Sequence, residues 1–409
     1  MNLLRKAFAF WLRDDRAVQR VFTEGTGIAS ETGEYISDSS ALALSTVWAC
    51  INLLAGTTAT LPLMMYRTRP GRAREAYPDH PLFRILHDSP NADQTASDFW
   101  EFTQAAIELR GNGYARKLRS GTRIVGLEPI APTAMATPRR LASGAIEYRW
   151  TANGKSFVGD DRDVLHIRGF GGDPLGGLST LEFARNTFGL AKAIDRAAGK
   201  TFRNGIRPSG VLTFEKFLSK ENREIAETSL AEKFTGAMNA GRPLILEGGT
   251  TWQQLSINPE DAQMLESRSF SVEEVCRFFG VPPFMIGHTE KATSWGSGLE
   301  QQVLAFRKFT LQRRLERIEQ ALMKQLLTPE DRAQGVSIEF NLEGLLRADS
   351  AGRAAYYQSG LTNGWLTINE VRAKENLSPV AGGDVPRMQS QNVPITQAPK
   401  EAKNGNQGV

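Results

Sequence analysis

Apolar side chains recur at three- and four-residue spacing through the long stretches of this chain, and at two-residue spacing through the short ones. The first pattern predicts a helix over 44–58 in "STVWACINLLAGTTAT", ended by Thr60-Leu61-Pro62 and followed by a strand, Leu63–Arg67. "HPLFRILHDSP" predicts a short helix closed by Pro90. "TASDFWEFTQAAIELRGNG" predicts another, with Ser97 as N-cap, Glu101 nearby and a stop at Gly111-Asn112-Gly113. Short strands follow at Tyr114–Arg119, Ile124–Pro129, Ile146–Trp150 and Asp163–Ile167. Together they predict an α+β module over 31–178.

The next helix, Ser179 to Asn204, differs in kind. Large apolar residues are sparse (Phe183, Leu190, Ile194, Phe202), and Ala and Gly fill much of the rest. At full length it would span roughly 39 Å, with too little apolar bulk to form a core alone, so packing against copies of itself is one way to stabilise it. A compact insert follows: strand Val211–Phe214, helix Lys220–Thr235, then strands Leu244–Glu247 and Trp252–Ile257. A second long helix runs from Pro259, suited to the first helical turn, to Gly280, suited to a helix end. The insert 205–257 therefore sits between two helices like a tip on a two-legged stalk.

"FFGVPPFMIGHTEKATSWGSGLEQQ" then changes character three times, and its loop, 282–298, is long for a compact domain. A helix predicted over Leu299–Leu327 carries the stripe Leu304, Leu311, Leu315, Ile318, Leu322 and Leu326, with Arg307, Arg313, Arg314, Arg317 and Lys324 on much of the remaining surface. "GVSIEFNLEGLL" predicts a returning strand, and the segment from Asp349 predicts a small helical unit with a Gly-rich end. No repeat at a fixed period is visible.

Charge and composition change this picture little. A net charge of +4 over 409 residues reads as a solvated surface of mixed sign and does not by itself argue for a nucleic-acid partner. Cys50 and Cys276 lie far apart and neither is in a CxxC pair, which disfavours a disulfide scaffold or a thiolate zinc site and fits a reducing cytoplasm. No uncharged run is long enough for a signal peptide or a membrane span. The N-terminal residues 1–30 read as a short amphipathic or frayed tail, and 389–409 as a disordered one.

Candidate chemistry is scarce. There is no GxxxxGK[ST], no GxSxG and no HExxH. "GGDPLGG" at 171–177 lacks the dinucleotide-binding order and reads as a flexible turn before a helix. His80, His87, His166 and His288 are too scattered to bind a metal, and His166, within "DVLHIRGF", reads as a structural histidine. The pairs Glu260-Asp261 and Glu273-Glu274 point in different directions on their helices and read as solvated faces. No enzyme, cofactor or metal is expected, and a mechanical or assembly role is favoured.

Over about 35–390 the chain resembles the portal proteins, or head-to-tail connectors, of tailed double-stranded DNA bacteriophages. The resemblance is carried by the joint order of "STVWACINLLAGTTATLPLMMYR", "HPLFRILHDSPN", "GNGYARKLR", "VLHIRGF", "PLGGLSTLEFAR", "INPEDAQMLESRSFSVEEVCRFFGVPPFMIG", "LEQQVLAFRKFTLQRRLERIEQAL" and "GWLTINEVRAKENLSPV". It implies an α+β portal fold assembled as a cyclic, dodecameric ring. The wing would be 31–178, closed by the long helix and strand 299–346. The stem helices would be 179–204 and 258–281, the clip 205–257, the tunnel loop 282–298 and the crown 347–388. The sequence departs from the family pattern at Gly298, before the long helix, and at Gln312-Arg313-Arg314, where many relatives have proline. These departures predict an unusually straight long helix.

The resemblance further implies a channel at one capsid vertex of the virion, assembled in the host cytoplasm, for DNA packaging and ejection. His288, Thr289, Glu290, Lys291, Ala292, Thr293, Ser294 and Trp295 would form the channel loop, with Trp295 anchoring its base and only weak, sequence-independent contact to double-stranded DNA. Lys220, Glu221, Arg223, Glu224 and Glu227 of the clip would meet the terminase large subunit and later a head-tail adaptor. Arg185, Gly189, Lys192, Asp195, Arg196, Ala197 and Lys200 would lie at the subunit interface of the stem. The major capsid protein would be a further partner, and no membrane is involved. A nucleic-acid-processing packaging enzyme and a capsid shell subunit are the alternatives. The first lacks a P-loop and metal ligands; the second has no need of a stalk with a folded tip.

Overall fold

The computed structural model describes residues 27–69, 74–203, 210–213, 219–220, 251–254, 259–289, 297–342, 350–375 and 377–387. The chain divides into two compact units, one extending to Phe340 and the other beginning at Asn341.

In the first unit the helix Ser45–Thr60 buries Val47, Cys50, Ile51, Leu54 and Ala55, as its apolar spacing requires. It packs on the helices Ala96–Arg110 and Pro259–Phe279. The Ala96–Arg110 helix begins at Thr95, not at Ser97: Thr95 and Asp98 form a reciprocal capping box. The Ser97 hydroxyl instead donates to the Ala59 carbonyl, 3.2 Å away. Its other end turns at Gly111, whose φ of 73° only glycine adopts cheaply.

Three three-stranded antiparallel sheets accompany this helical core. Val164–Arg168, Asn112–Ser120 and Arg123–Ile130 form one, with the Asn112–Ser120 strand central. Val336–Phe340 pairs with Leu63–Arg67 across more than 260 residues, in the register Ile338 to Met65, with Glu75–Ala76 on the far edge. The third sheet joins Arg139–Arg140, Ile146–Ala152 and Lys155–Gly159. A hairpin of Ile28–Ala29 and Tyr35–Ile36 precedes them all.

The helix expected from Ser179 is broken. Ser179 caps a single turn, Thr180–Phe183, and Ala184 (φ −91°, ψ 5°) separates it from the helix Arg185–Arg203. That helix runs antiparallel to Pro259–Phe279, with Phe188 against Phe279 near one end and Asp195 paired to Arg268 further along. The insert between them is described only at the antiparallel strands Gly210–Thr213 and Thr251–Gln254 and at 219–220. The predicted helix Lys220–Thr235 beyond Lys220 and the strand Leu244–Glu247 lie outside the described residues.

The long helix is not straight. It runs Ser297–Ala305, widens into a π-helical segment, Phe306–Leu311, and continues as Gln312–Leu326. The wider segment resets the rotational phase. Leu311, Leu315, Ile318, Leu322 and Leu326 are buried as their spacing demands, whereas Leu304, placed on the same stripe by its spacing, is exposed and Phe306 is buried in its stead.

In the second unit, Thr367 caps the helix Ile368–Lys374, which follows the helix Ser350–Thr362. The buried Asn369 side chain holds the Gly-rich end: Nδ2 donates to the Val380 carbonyl and to Asp384, and Oδ1 accepts from the Val380 amide. A Cβ on Gly383 would fall 2.3 Å from Asn369 Oδ1, so only glycine fits there.

Candidate functional site

The channel-loop candidate begins where the Pro259–Phe279 helix stops. Gly280 takes φ 63°, which ends the helix. Pro282 and Pro283 cannot continue it, and a single 3-10 turn, Pro283–Ile286, closes at Gly287 with φ 84°. His288 Nε2 lies 3.4 Å from the Ser269 hydroxyl, one element back. Thr289 follows; Glu290, Lys291, Ala292, Thr293, Ser294 and Trp295 lie outside the described residues.

Both flanks of the loop are tied to one buried node. The Thr310 hydroxyl donates to the Gly280 carbonyl at 2.7 Å, linking the π-helical segment to the end of the preceding helix. Arg314, one turn on, forks onto Glu108 of the Ala96–Arg110 helix, with Nε to Oε1 at 2.6 Å and Nη2 to Oε2 at 3.0 Å. The same guanidinium donates to the Phe279 carbonyl at 2.8 Å and to the Thr310 carbonyl at 2.9 Å. Glu108 and Arg314 side chains are 7% and 14% exposed, so the pair works in a low dielectric and is closed by further hydrogen bonds. Sequence spacing put Arg314 among the solvated arginines. Its partner is 206 residues away, and nothing local announces it.

The Gly-rich turn 171–177, expected to be flexible, is exposed over 171–174 and anchored at Gly177. Asn112 Oδ1 accepts from the Gly177 amide at 2.8 Å and Asn112 Nδ2 donates to the Gly177 carbonyl at 3.1 Å. A Cβ on Gly177 would meet the Gly111 carbonyl oxygen at 2.0 Å. His166 completes the arrangement, as a structural histidine should. Its Nε2 lies 2.9 Å from Asn112 Oδ1, which can only accept, so Nε2 carries the proton and Nδ1, 3.3 Å away, accepts from the Tyr148 hydroxyl. Burial, helped by the Arg168 charge, pushes the His166 pKa down to about 3.

That shift has a sign. A histidine whose folded pKa is depressed stabilises the fold while neutral, and this contribution is lost as pH falls from about 6.5 towards 3. At pH 5 the loss should be about 2 kcal/mol. Urea unfolding at pH 7 and pH 5 should show it, and His166→Asn should flatten the difference. An unchanged pH dependence in that variant would remove His166 as the cause.

The stem candidates have partners within their own chain. A Cβ on Gly189 would fall 2.3 Å from the Ser30 hydroxyl, so its smallness admits the Ile28–Ile36 hairpin. Lys192 Nζ and Arg196 Nη1 reach the buried Glu34 carboxylate at 3.3 and 2.6 Å. Asp195 pairs with Arg268 at 3.5 Å, and Arg185 donates to the Glu182 carbonyl. Ala197 is exposed, and the Lys200 side chain lies outside the described residues. Of the clip candidates, Lys220 is exposed; Glu221, Arg223, Glu224 and Glu227 lie outside the described residues.

Catalytic geometry does not emerge. Among the described residues no cluster of three His, Cys, Asp or Glu side chains could hold a metal ion, and no described helix is long and apolar enough to cross a membrane. Cys50 and Cys276 share one buried core cluster as free thiols, and the hydrogen bond to Cys276, reinforced by burial, pushes the Cys50 thiol up.

The phage portal protein family model matches residues 45–376, most of the chain. The chain belongs to the phage portal protein family. It is 36% identical over 407 residues to the portal protein of Enterobacteria phage HK97, spanning 98% of this chain and 95% of that one. The probable portal protein of Streptomyces phage phiC31 is 34% identical, over 87% of this chain and 79% of its own. A chain from the virion of a native gene transfer agent particle superposes with a TM-score of 0.59 at 25% identity, covering 83% of this portal chain and 92% of that one. The matches support a general portal-protein role in DNA packaging.

Proposed function

We propose that this portal chain assembles as a cyclic, dodecameric ring at one vertex of the capsid, through which double-stranded DNA enters during packaging and leaves at ejection. The observation that carries the reading is the family match over 45–376, together with near full-length similarity to a phage portal protein. Residues 31–178 and 299–346 form the wing, 179–204 and 258–281 the stem, 205–257 the clip, 282–298 the tunnel loop and 347–388 the crown. The clip docks the terminase large subunit, then a head-tail adaptor, and the wing faces the major capsid protein.

The geometry around Gly280 fits a tunnel loop. A segment that slides along DNA must move without loosening the wall behind it. Here both flanks return to the Gly280, Thr310 and Arg314 node, which is fixed to the wing helix through Glu108. The loop residues 288–295 are nearly neutral in sum, with Glu290 beside Lys291. A dense Lys/Arg lining would hold phosphates with steep salt dependence, whereas this loop makes weak, transient contact.

Negative-stain microscopy of the purified chain tests the assembly: rings with a central hole support it, and icosahedral shells or monomers at all concentrations overturn it. Deleting residues 288–295 should leave rings intact and impair packaging in a terminase-driven assay. Normal packaging by the deletion would remove the loop from the channel.

A further inference from the structure

One groove of about 470 Å³ in the first unit is walled on one side by the node residues Glu108, Phe279, Gly280 and Arg314. Its rim exposes Phe170, Phe183 and Phe278, the second of them 58% exposed. Arg313 and Arg317 line it, and neither is salt-bridged among the described residues; burial, and then the charges of Arg313 and Arg314, lower the Arg317 pKa. Two buried polar atoms at its wall, Gln104 Oε1 and Arg168 Nε, also lack a hydrogen-bond partner. Apolar surface rimming uncompensated positive charge marks a binding surface for something apolar and acidic.

The same unit carries a surface of that chemistry. Residues 27–66 contain Glu31, Glu34 and Asp38 and no Lys, Arg or His. Glu34 and Asp38 are neutralised internally by Lys192, Arg196 and Arg110. The exposed Glu31 carboxylate meets no cation among the described residues, and beside it in the hairpin stands Tyr35, 66% exposed. Trp48, in the first turn of the next helix, is exposed as well.

The Arg185–Arg203 helix carries the hairpin, and the Glu31 amide also donates to Asn186 in its first turn, 3.2 Å away. Residues advance about 100° each around a helix. Phe188 and Ala191 face the core. Gly189, Lys192 and Arg196 lie to one side of them and carry the hairpin. Leu190 lies to the other side, exposed, while Phe183 at the groove precedes the break at Ala184. A head-to-tail contact that closes a ring requires two different, complementary patches on one subunit.

We infer that the groove of one subunit receives the hairpin of its neighbour, with Glu31 against Arg313 and Tyr35 seated between Phe183 and Phe278. The inference rests on the ring reading above and places the contact on this groove. It gives Gly189, Lys192 and Arg196 a different part from direct contact: they hold the hairpin that a neighbour engages.

The test uses the full-length chain. p-Benzoylphenylalanine replaces Tyr35, rings are isolated and irradiated, and adducts are mapped by mass spectrometry. Interchain adducts on peptides containing Phe183 or Phe278 are expected. In parallel, Arg313→Glu should lower the fraction sedimenting as rings by at least about tenfold at fixed concentration, and Glu31→Arg in the same chain should restore it. Interchain adducts that map only elsewhere, or an Arg313→Glu variant with undiminished rings, overturn the pairing and leave the ring reading standing. A parent chain that sediments only as monomer overturns both.

Discussion

Arg314→Met should destabilise the first unit by about 3–5 kcal/mol, because it leaves Glu108 charged, buried and without its cation. The variant removes four donor contacts at once: two to Glu108 and one each to the carbonyls of Phe279 and Thr310. Methionine fills much of the volume, so lost packing accounts for little of the cost. The measurement is the urea midpoint followed by tryptophan fluorescence. A second variant identifies the cause. Adding Glu108→Leu removes the stranded carboxylate, and most of the stability should return, since well-packed apolar replacements of buried ion pairs are often neutral. A double variant as unstable as the single one would show that the charge is not what the arginine serves. Even the rescued protein should package DNA poorly, because both flanks of the proposed tunnel loop would have lost their tie to the Ala96–Arg110 helix.

Trp100→Ala should cost about 3–5 kcal/mol through the cavity it leaves. Trp100 is 2% exposed, and its ring meets Phe99 edge-on at 5.0 Å and Phe340 at 6.2 Å. Phe340 belongs to the returning strand, so this contact joins residues 240 positions apart and clasps the Val336–Phe340 strand to the rest of the first unit. The indole Nε1 also donates to the buried Leu86 carbonyl at 3.1 Å. Trp100→Phe keeps most of the ring but strands that carbonyl, at about 1–3 kcal/mol. Urea unfolding of the two variants separates packing from hydrogen bonding. Equal losses would assign the whole effect to the indole N–H, and a Trp100→Ala loss under about 1 kcal/mol would mean that the site collapses freely.

Most regular elements among the described residues, and their order, are legible in apolar spacing alone. Helix 44–58, the strands around 114–129 and 146–167, the helix from Pro259 to Gly280 and the Leu311–Leu326 stripe all follow from apolar period and from terminators such as Gly111 and Gly280. These signals are local: side-chain direction repeats every 3.6 or two residues, and glycine ends a helix wherever a positive φ is needed. The family, too, was legible, because its motifs occur in a fixed order along one chain. Which polar residues are buried, and what they hold, is set by packing between elements distant in the chain. Arg314 belongs in sequence to a run of solvated arginines, and becomes the centre of a buried node because Glu108 and the Phe279 carbonyl arrive from other elements. The π-helical segment belongs to the same node, since Thr310 donates to the Gly280 carbonyl from within it, and it interrupts the long helix that apolar spacing predicts. Gly189, expected at a subunit interface, packs against Ser30 of its own chain. The physical reason is common to all three. A hydrogen bond or a close approach between residues 159, 206 or 30 positions apart leaves no periodic trace, because its geometry is fixed by the packing of whole elements and not by the spacing of residues along one of them.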